Sequence, residues 1–568
     1  MYFNSKGKES HTYDAIVIGS GISGGWAAKE LSEKGLKTLV LERGRDVKHI
    51  QDYATMNMDP WDFKYNNRVS EEDLQKQLKQ NRTGYTVRES TKHWFVNDLD
   101  NPYTEVKRFD WMRGYHVGGR SIVWGRQSYR LSDLDFEANA KEGIAVDWPI
   151  RYKDIAPWYD YVERFAGISG RNEGLAHLPD GQFLPPMELN CVEEHLRDKI
   201  AENFEHRLLT IGRTAHLTQP HNNRGQCQSR NRCMRGCPYG AYFSSNAATL
   251  PAAEATGNMT LRPYSIVNSI IYDKETQKAT GVRIIDAETN ETIEFYARVI
   301  FSCASALGST FILMNSTSEE HPNGLGNRSG ELGHNLMDHH FRTGASGRFE
   351  GFNDRYYRGR RPNGFYIPRF RNINKQTKRK DFLRGYGYQG GANRRNWESS
   401  VKELGFGGAF KDALFEPGPW QLGMTGFGEC LPYHENKVYL NQEVRDKWGQ
   451  PTLTFDCEWK ENEMIMRKDM AIAAAEMLEA AGFKDVTTYD RGCHPGLGIH
   501  EMGTARMGRD PKTSVLNGFN QVHEAKNVYV TDGACMTSAA CQNPSLTYMA
   551  LTARACDHAV KELKSGNL

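Results

Sequence analysis

The sequence predicts an α/β protein built on a Rossmann-like, dinucleotide-binding domain, and three observations predict it. The apolar run Tyr13-Asp-Ala-Ile-Val-Ile ends in Gly19 and reads as a buried parallel strand. The spacing Gly19-x-Gly21-x-x-Gly24 leads into a helical stretch from Trp26 to Lys34. A second strand, Thr38–Leu41, then ends in Glu42.

Each part has a physical task. Gly19 permits the tight turn, Gly21 lets backbone approach a pyrophosphate, and Gly24 lets helix pack on strand. The helix N-terminus offers amide donors and a positive dipole end to phosphate. Glu42 stands where an acid binds ribose hydroxyls, and Glu42-Arg43-Gly44 is closer to the FAD form of the motif than to the NAD form. The competing reading of this stretch is a tight strand–helix turn without a ligand.

Bulk properties narrow the class. At 568 residues the chain needs two domains or one large composite fold. A formal net charge of +2 gives no electrostatic case for nucleic-acid or membrane binding. No apolar run approaches the roughly 20 residues of a membrane helix. Met1–Tyr13 is polar, so no export signal of the chain's own is expected. The 11 cysteines are odd in number and dispersed, which argues against a disulfide scaffold.

Residues 50–105 read as an insertion over the cofactor site, with a helix at Glu71–Lys79 and an extended or loop segment at Trp94–Asp100. Gly118 and Gly119, followed by Ser121, open an apolar run and suit close approach of backbone to a flat ring or phosphate. Aromatic residues Trp158–Phe165 predict a helix. Short strands are expected at Ile266–Tyr272, Gly281–Ile285 and Thr292–Tyr296. A separate buried strand then starts at Val299 and enters a helix near Gly308, with Cys303 as a small buried residue.

Near the C-terminus, Gly498-Ile-His500-Glu-Met-Gly-Thr-Ala-Arg-Met-Gly508 sets one histidine among glycines and methionines. A satisfied core histidine is the bland reading; a general base in a shaped loop is the sharper one. Asn527–Gly533 reads as a strand ending in Asp532. Asn543-Pro544 precedes a helix, Tyr548–Lys564, with Pro544 suited to its first turn and Asn543 to its N-cap.

Taken together these parts resemble the glucose–methanol–choline (GMC) oxidoreductases. Gly19/Gly21/Gly24 with Glu42, the Gly118-Gly119 loop, Gly333-His-Asn-Leu-Met-Asp338-His, the His500 loop, and Val530-Thr-Asp532 through Asn543-Pro544 recur in family order over nearly the whole chain. The resemblance implies bound FAD and a substrate domain built on an antiparallel sheet flanked by helices. It implies a flavin part at 1–345, with the insertion 50–105 and a cysteine segment 220–240. A substrate part follows at 346–490, and 491–568 returns to the flavin part. Trp420–Leu440 resembles the strands flooring the substrate pocket, and Met464–Ala481 is an amphipathic helix. The resemblance makes His500 and Asn543 the catalytic pair facing the flavin, and it places Gly118, Gly119, Ser121, Asp532 and Pro544 at the cofactor. Two positions depart from the family pattern: Trp124 stands where many members carry an Asn or His, and Arg120 replaces a small residue. Covalent flavin attachment is therefore not predicted.

Cys227-x5-Cys233-x3-Cys237-Pro238 is the second unusual stretch. Thiolates at this spacing suit an iron–sulfur centre, and Arg224, Arg230, Arg232 and Arg235 would offset its charge. Zinc with His221 as fourth ligand, a disulfide plus a free thiol, and inert cysteines stay open on spacing alone. The run resembles that of the large FAD subunits of bacterial membrane-linked sugar dehydrogenases, most closely glucoside 3-dehydrogenases. That resemblance implies a [3Fe-4S] cluster on Cys227, Cys233 and Cys237. It also implies a sugar or glycoside substrate, a small partner subunit and a cytochrome c-type acceptor. No Cys-x-x-Cys-His haem motif occurs in the chain. Co-export with the small subunit would place the protein at the periplasm or its membrane face; a cytoplasmic enzyme is the alternative. The basic stretch 353–395 reads first as a solvated face and second as a redox docking surface.

Overall fold

The computed structural model describes residues 11–355, 362–394, 407–415 and 417–568. Its first sheet has eight strands. The central path runs Gln521–Val522, Ala525–Val530, Thr292–Ser302, Thr12–Ile18, Thr38–Leu41, Met259–Arg262. Thr12–Ile18 pairs in parallel with Thr38–Leu41 on one side and with Thr292–Ser302 on the other. The run Ala15–Ile18 is buried, as a strand covered on both faces must be. Helices Ile22–Glu33 and Ser545–Lys564 pack on each other against this sheet.

One sequence expectation is corrected. Thr292–Tyr296 and the run from Val299 form one strand, Thr292–Ser302. Its first half pairs antiparallel with Lys278–Asp286 and keeps an exposed edge; its second half enters the parallel core and is buried throughout. The sequence pattern changes where the burial changes, which makes one strand look like two.

The second sheet is antiparallel, in the order Lys484–Asp490, His340–Phe349, Trp420–Gly428, Tyr386–Arg394, Phe365–Ile367, Thr210–Ile211. It therefore draws Thr210–Ile211 from far upstream and begins its long strand at His340. Helix Glu461–Ala480 lies across one face. Met466, Met470, Ala473, Ala474 and Met477 bury against Ala345, Tyr386, Tyr388, Leu422 and Met424. Gly426 and Gly428 leave room for Met470, whose atoms would lie 2.8 and 2.4 Å from an added Cβ at those positions. Because side chains alternate across a strand, the residues between these, Gln389 and Phe427, look out of the opposite face. Trp420–Gly428 belongs to this sheet, whereas Lys437–Arg445, expected beside it, pairs with Pro451–Asp456 in a separate three-stranded sheet closed by Thr104–Glu105.

The basic stretch expected at 353–395 lies partly outside the described residues. Within them its arginines are engaged in the fold. Arg384 is fully buried and donates to Glu142, Glu429 and Asn139. Arg371 pairs with Asp469, and Arg394 donates to the carbonyls of Asn353, Arg355, Pro417 and Gly418. Among the described residues no helix is long and apolar enough to cross a membrane.

Candidate active site

One continuous cavity runs between the two large sheets, from Glu42 at the nucleotide end to His500 and Asn543 at the other. Gly19, Gly21, Glu42, Gly119, Ser121 and Asp532 line it, as expected. Gly24, Gly118 and Pro544 are not among its lining residues. A Cβ at Gly24 would lie 1.9 Å from the Gly19 carbonyl oxygen, so Gly24 is where helix closes on strand. Gly118 presses on the Asn246 amide, and Pro544 caps the C-terminal helix, while its neighbour Ser545 reaches the cavity.

Three observations test whether this cavity fits FAD. A Cβ at Gly21 would meet nothing within 4 Å, so the wall before the helix N-terminus is open to a pyrophosphate. Glu42 faces the cavity and accepts hydrogen bonds from Ser20 Oγ (2.6 Å) and the Gly44 amide (2.9 Å). Burial pushes its carboxyl up against those bonds. Tyr548 Oη is buried, lines the cavity and has no protein partner, which a polar ligand edge would satisfy. The residues fit the group. Asp532 N-caps a short turn through Ala534 N (3.0 Å) and accepts from Ser309 Oγ (2.5 Å); burial pushes it up to about 6.

At the far end the hydrogen-bond polarity can be read from a carbonyl, which only accepts. Ala540 O lies 2.8 Å from His339 Nε2, so that nitrogen carries the proton. Burial holds His339 neutral by lowering its pKa, leaving Nδ1 as an acceptor. His500 Nδ1 lies 2.8 Å from it and must donate. His500 Nε2 is then a lone pair, and it faces Asn543 Nδ2 at 3.5 Å. Burial, His339 and Arg120 hold His500 well below the ordinary imidazole range, so it rests as a neutral base. The loop is pinned from below: the Asp338 carboxylate accepts from the Gly498 amide (2.8 Å) and the His500 amide (3.0 Å).

Arg120 is explained by the residue after His500. It makes a two-pronged bond to Glu501, 3.0 and 2.9 Å, against the cavity wall. Trp124 donates from Nε1 to the Phe243 carbonyl at 2.8 Å and offers its ring to the cavity. Neither Glu501 nor Tyr548 was singled out from the sequence. The signal for Glu501 was Arg120 itself, because an arginine in an apolar loop demands an acid. His339 and Asp338 stood in a recognised motif without a role.

The opposite wall comes from the substrate sheet and the insertion. Phe341 and Phe427 stack with centroids 5.2 Å apart, and Gln389, Tyr85, Thr86 and Phe95 complete it. The insertion therefore does close over the site, tied to the sheet by a hydrogen bond from Arg342 to the Thr83 carbonyl.

The cysteine run touches this cavity from outside. Met234 lines it, and Arg126, also in its wall, donates to the Cys233 carbonyl at 3.1 Å. The three thiols are partly buried, and burial pushes Cys227 up, reinforced by Cys233 and Cys237. Yet among the described residues no three His, Cys, Asp or Glu side chains are placed to hold a metal ion. His221 turns away to the Arg164 carbonyl (2.7 Å), and it is His216 that approaches the Cys233 sulfur, at 3.8 Å. The neighbouring arginines bind carbonyls rather than thiols: Arg230 to Met56, Arg232 to Asn57, Arg235 to Met58 and Arg224 to Ala166.

A Rossmann-type sheet with this cavity defines a flavin-dependent oxidoreductase fold. The chain belongs to the GMC oxidoreductase family, whose models match residues 13–341 and 432–552. It is 28% identical to the 2-methyl-1,2-propanediol dehydrogenase of Mycolicibacterium austroafricanum, over 96% of this chain and 94% of that protein. It is 25% identical to the fructose dehydrogenase large subunit of Gluconobacter japonicus, covering 98% and 99%. It is 24% identical to the gluconate 2-dehydrogenase flavoprotein of Pantoea cypripedii, covering 95% and 92%. The formate oxidase of Aspergillus oryzae RIB40 shares the fold, with TM-score 0.60 at 14% identity over 98% and 99% of the two chains.

Proposed function

We propose that this GMC oxidoreductase is a dehydrogenase that oxidises a secondary hydroxyl of a sugar or glycoside. The preferred position is C3 of a glucoside, giving a 3-keto sugar. One observation carries the reading: the His500 Nε2 lone pair and the Asn543 Nδ2 donor lie 3.5 Å from each other in the cavity wall. A carbinol oxygen held there gives its proton to His500 and accepts a hydrogen bond from Asn543. FAD, when bound, supplies the acceptor for the hydride leaving the carbinol carbon. The stacked Phe341–Phe427 wall suits the C–H face of a sugar ring.

The outward path is the finer part of the proposal. Cys227, Cys233 and Cys237 would hold a [3Fe-4S] centre, which when assembled would supply one-electron transfer toward a cytochrome c-type acceptor, with a small subunit alongside. The family resemblance and the contact of Met234 with the cavity support this, as do relatives named as a large subunit and a flavoprotein. Co-export with that subunit would place the enzyme at the periplasmic face. The second reading is a gluconate-, fructose- or sorbitol-type dehydrogenase or an oxygen-using oxidase. Relatives named paromamine 6'-oxidase of Streptomyces fradiae and fructose dehydrogenase favour keeping it.

Anaerobic reduction of the bound flavin across glucosides, gluconate, fructose, sorbitol and small diols, with product analysis, tests the substrate. Glucosides reducing the flavin fastest to a 3-keto product is the expected result. Peroxide release without stimulation by artificial acceptors would instead establish an oxidase.

A further inference from the structure

We propose that Gln389 is a positioning residue that sets the polarity of the catalytic amide. The inference rests on the reading of His500 and Asn543 as the catalytic pair. Gln389 Nε2 donates to Asn543 Oδ1 at 2.7 Å. This bond completes the sequence that begins at the Ala540 carbonyl. His339 donates to that carbonyl, His500 donates to His339, and His500 Nε2 is left as a lone pair. An amide facing a lone pair must present its N–H, so Asn543 turns Nδ2 toward His500 and Oδ1 away. A free asparagine interchanges the two ends by rotation of its side chain. Gln389 removes that freedom by placing a donor where Oδ1 must sit.

Its position follows from strand geometry. Gln389 lies on Tyr386–Arg394 between Tyr388, whose hydroxyl donates to the Met470 carbonyl at 2.6 Å on the helix side, and Gly390. The alternation of the strand turns Gln389 to the cavity, where it lines the wall. His500 and Asn543 both come from the C-terminal part of the chain, whereas Gln389 comes from the substrate sheet. The amide that receives the substrate oxygen is therefore oriented by the domain that binds the substrate.

Two substitutions separate this role from simple packing. In Gln389→Glu the new carboxylate only accepts, so it draws Asn543 Nδ2 toward itself and turns Oδ1 to the reacting oxygen. In Gln389→Leu the amide is merely released. The expected order is inverse to steric similarity. The limiting rate of flavin reduction falls roughly 100-fold in Gln389→Glu, the scale of losing one oriented donor. It falls about 10-fold in Gln389→Leu. Substrate affinity, read from saturation of that rate, changes less than about threefold in either variant.

A pH profile adds a signature that packing would not give. Once protonated, the carboxyl introduced by Gln389→Glu donates to Asn543 Oδ1 again. The ratio of Gln389→Glu to wild-type rates should rise as pH falls toward the buried carboxyl's pKa, above the ordinary value of about 4.3. Taking the ratio removes the part of the His500 titration that the two proteins share, and a separate pH profile of Gln389→Leu, which adds no charge, isolates the rest. The experiment is anaerobic stopped-flow reduction of the FAD-loaded enzyme by whichever sugar or alcohol reduces the wild type. Flavin absorbance and thermal unfolding establish that each variant is folded. A Gln389→Glu variant at least as fast as Gln389→Leu with a flat ratio overturns the proposal, and so do two variants within twofold of wild type. A wild-type flavin that no sugar or alcohol reduces would instead overturn the dehydrogenase reading, and this inference with it.

Discussion

The His500 loop and the cysteine run are both short, compositionally odd stretches, and they are built very differently. Around His500 the protein fixes the geometry from several sides. Asp338 holds the backbone, His339 fixes the ring tautomer, and Gln389 orients the facing amide. Around the cysteines the neighbouring arginines are taken up by backbone carbonyls, and the Cys233 sulfur lies 3.8 Å from a ring nitrogen of His216. A hydrogen-bonding site is determined by pairwise contacts that the fold itself supplies. A thiolate site takes its final geometry from the ion it binds. Odd composition flags both kinds of site, but only the first can be read through to its chemistry.

The sharpest way to break the His500 side of this comparison is to remove the base. His500→Gln should slow anaerobic flavin reduction by roughly 10²–10⁴-fold, the range of a general base, with FAD retained. Because burial lowers the His500 pKa, the wild-type rate should stay flat through neutral pH and fall only well below the ordinary imidazole value. A rate that declines near pH 6.5, the unperturbed histidine value, would contradict the neutral resting base. His339→Phe removes the acceptor that fixes the tautomer. About a 100-fold loss in reduction rate is expected, since mis-set tautomers in comparable relays are costly. A variant within threefold of wild type would show that His500 needs no such partner.

Stability effects follow. Arg120→Met leaves Glu501 buried without its cation. Breaking a buried pair costs about 3–5 kcal/mol, to be discounted because the Arg120 side chain is 24% exposed to the cavity. About 2 kcal/mol is expected by thermal unfolding, and Arg120→Met with Glu501→Met should recover most of it. Asp338 gives a pH effect of defined sign. Burial and Glu501 push its carboxyl up to about 7 from 3.8. The folded state therefore holds an extra proton between those values, and stability declines as pH rises through that window. Asp338→Asn should flatten the decline; an unchanged slope would mean that another group carries it.

The legible parts of the sequence were those with local signatures. Gly19 to Glu42 specifies strand, turn, helix and acid within one βαβ unit, and the structure reproduces it. His500 and Asn543 were found by motif, and they meet. Gln389 and Glu501 carried no local signal, because each matters through a partner more than a hundred residues away, Asn543 and Arg120 respectively. Gly24 packs helix on strand as its place in the motif implies, while Gly118 and Pro544 stand beside the cavity without lining it. Motif spacing shows that a residue belongs to a site, whereas lining requires knowing which way the backbone turns. The strand Thr292–Ser302 was divided because its surroundings change halfway along.

The smallest effect is expected where the comparison is most exposed, at Cys233. Its backbone carbonyl is held by Arg126, a residue of the cavity wall, and its neighbour Met234 lines the cavity. Cys233→Ser changes one sulfur to oxygen without altering that backbone contact. The proposed reductive half-reaction on His500 and Asn543 does not involve the thiol, so flavin reduction by substrate should stay within about threefold of wild type. If the run assembles a cluster, the wild-type protein contains iron and sulfide, and the variant loses both. Turnover with a cytochrome acceptor then falls while flavin reduction persists. Equal iron content in the two proteins would sink the cluster proposal. Slowed flavin reduction in the variant would sink the division between the two regions, because it would place Cys233 in the support of the cavity rather than on the way out of it.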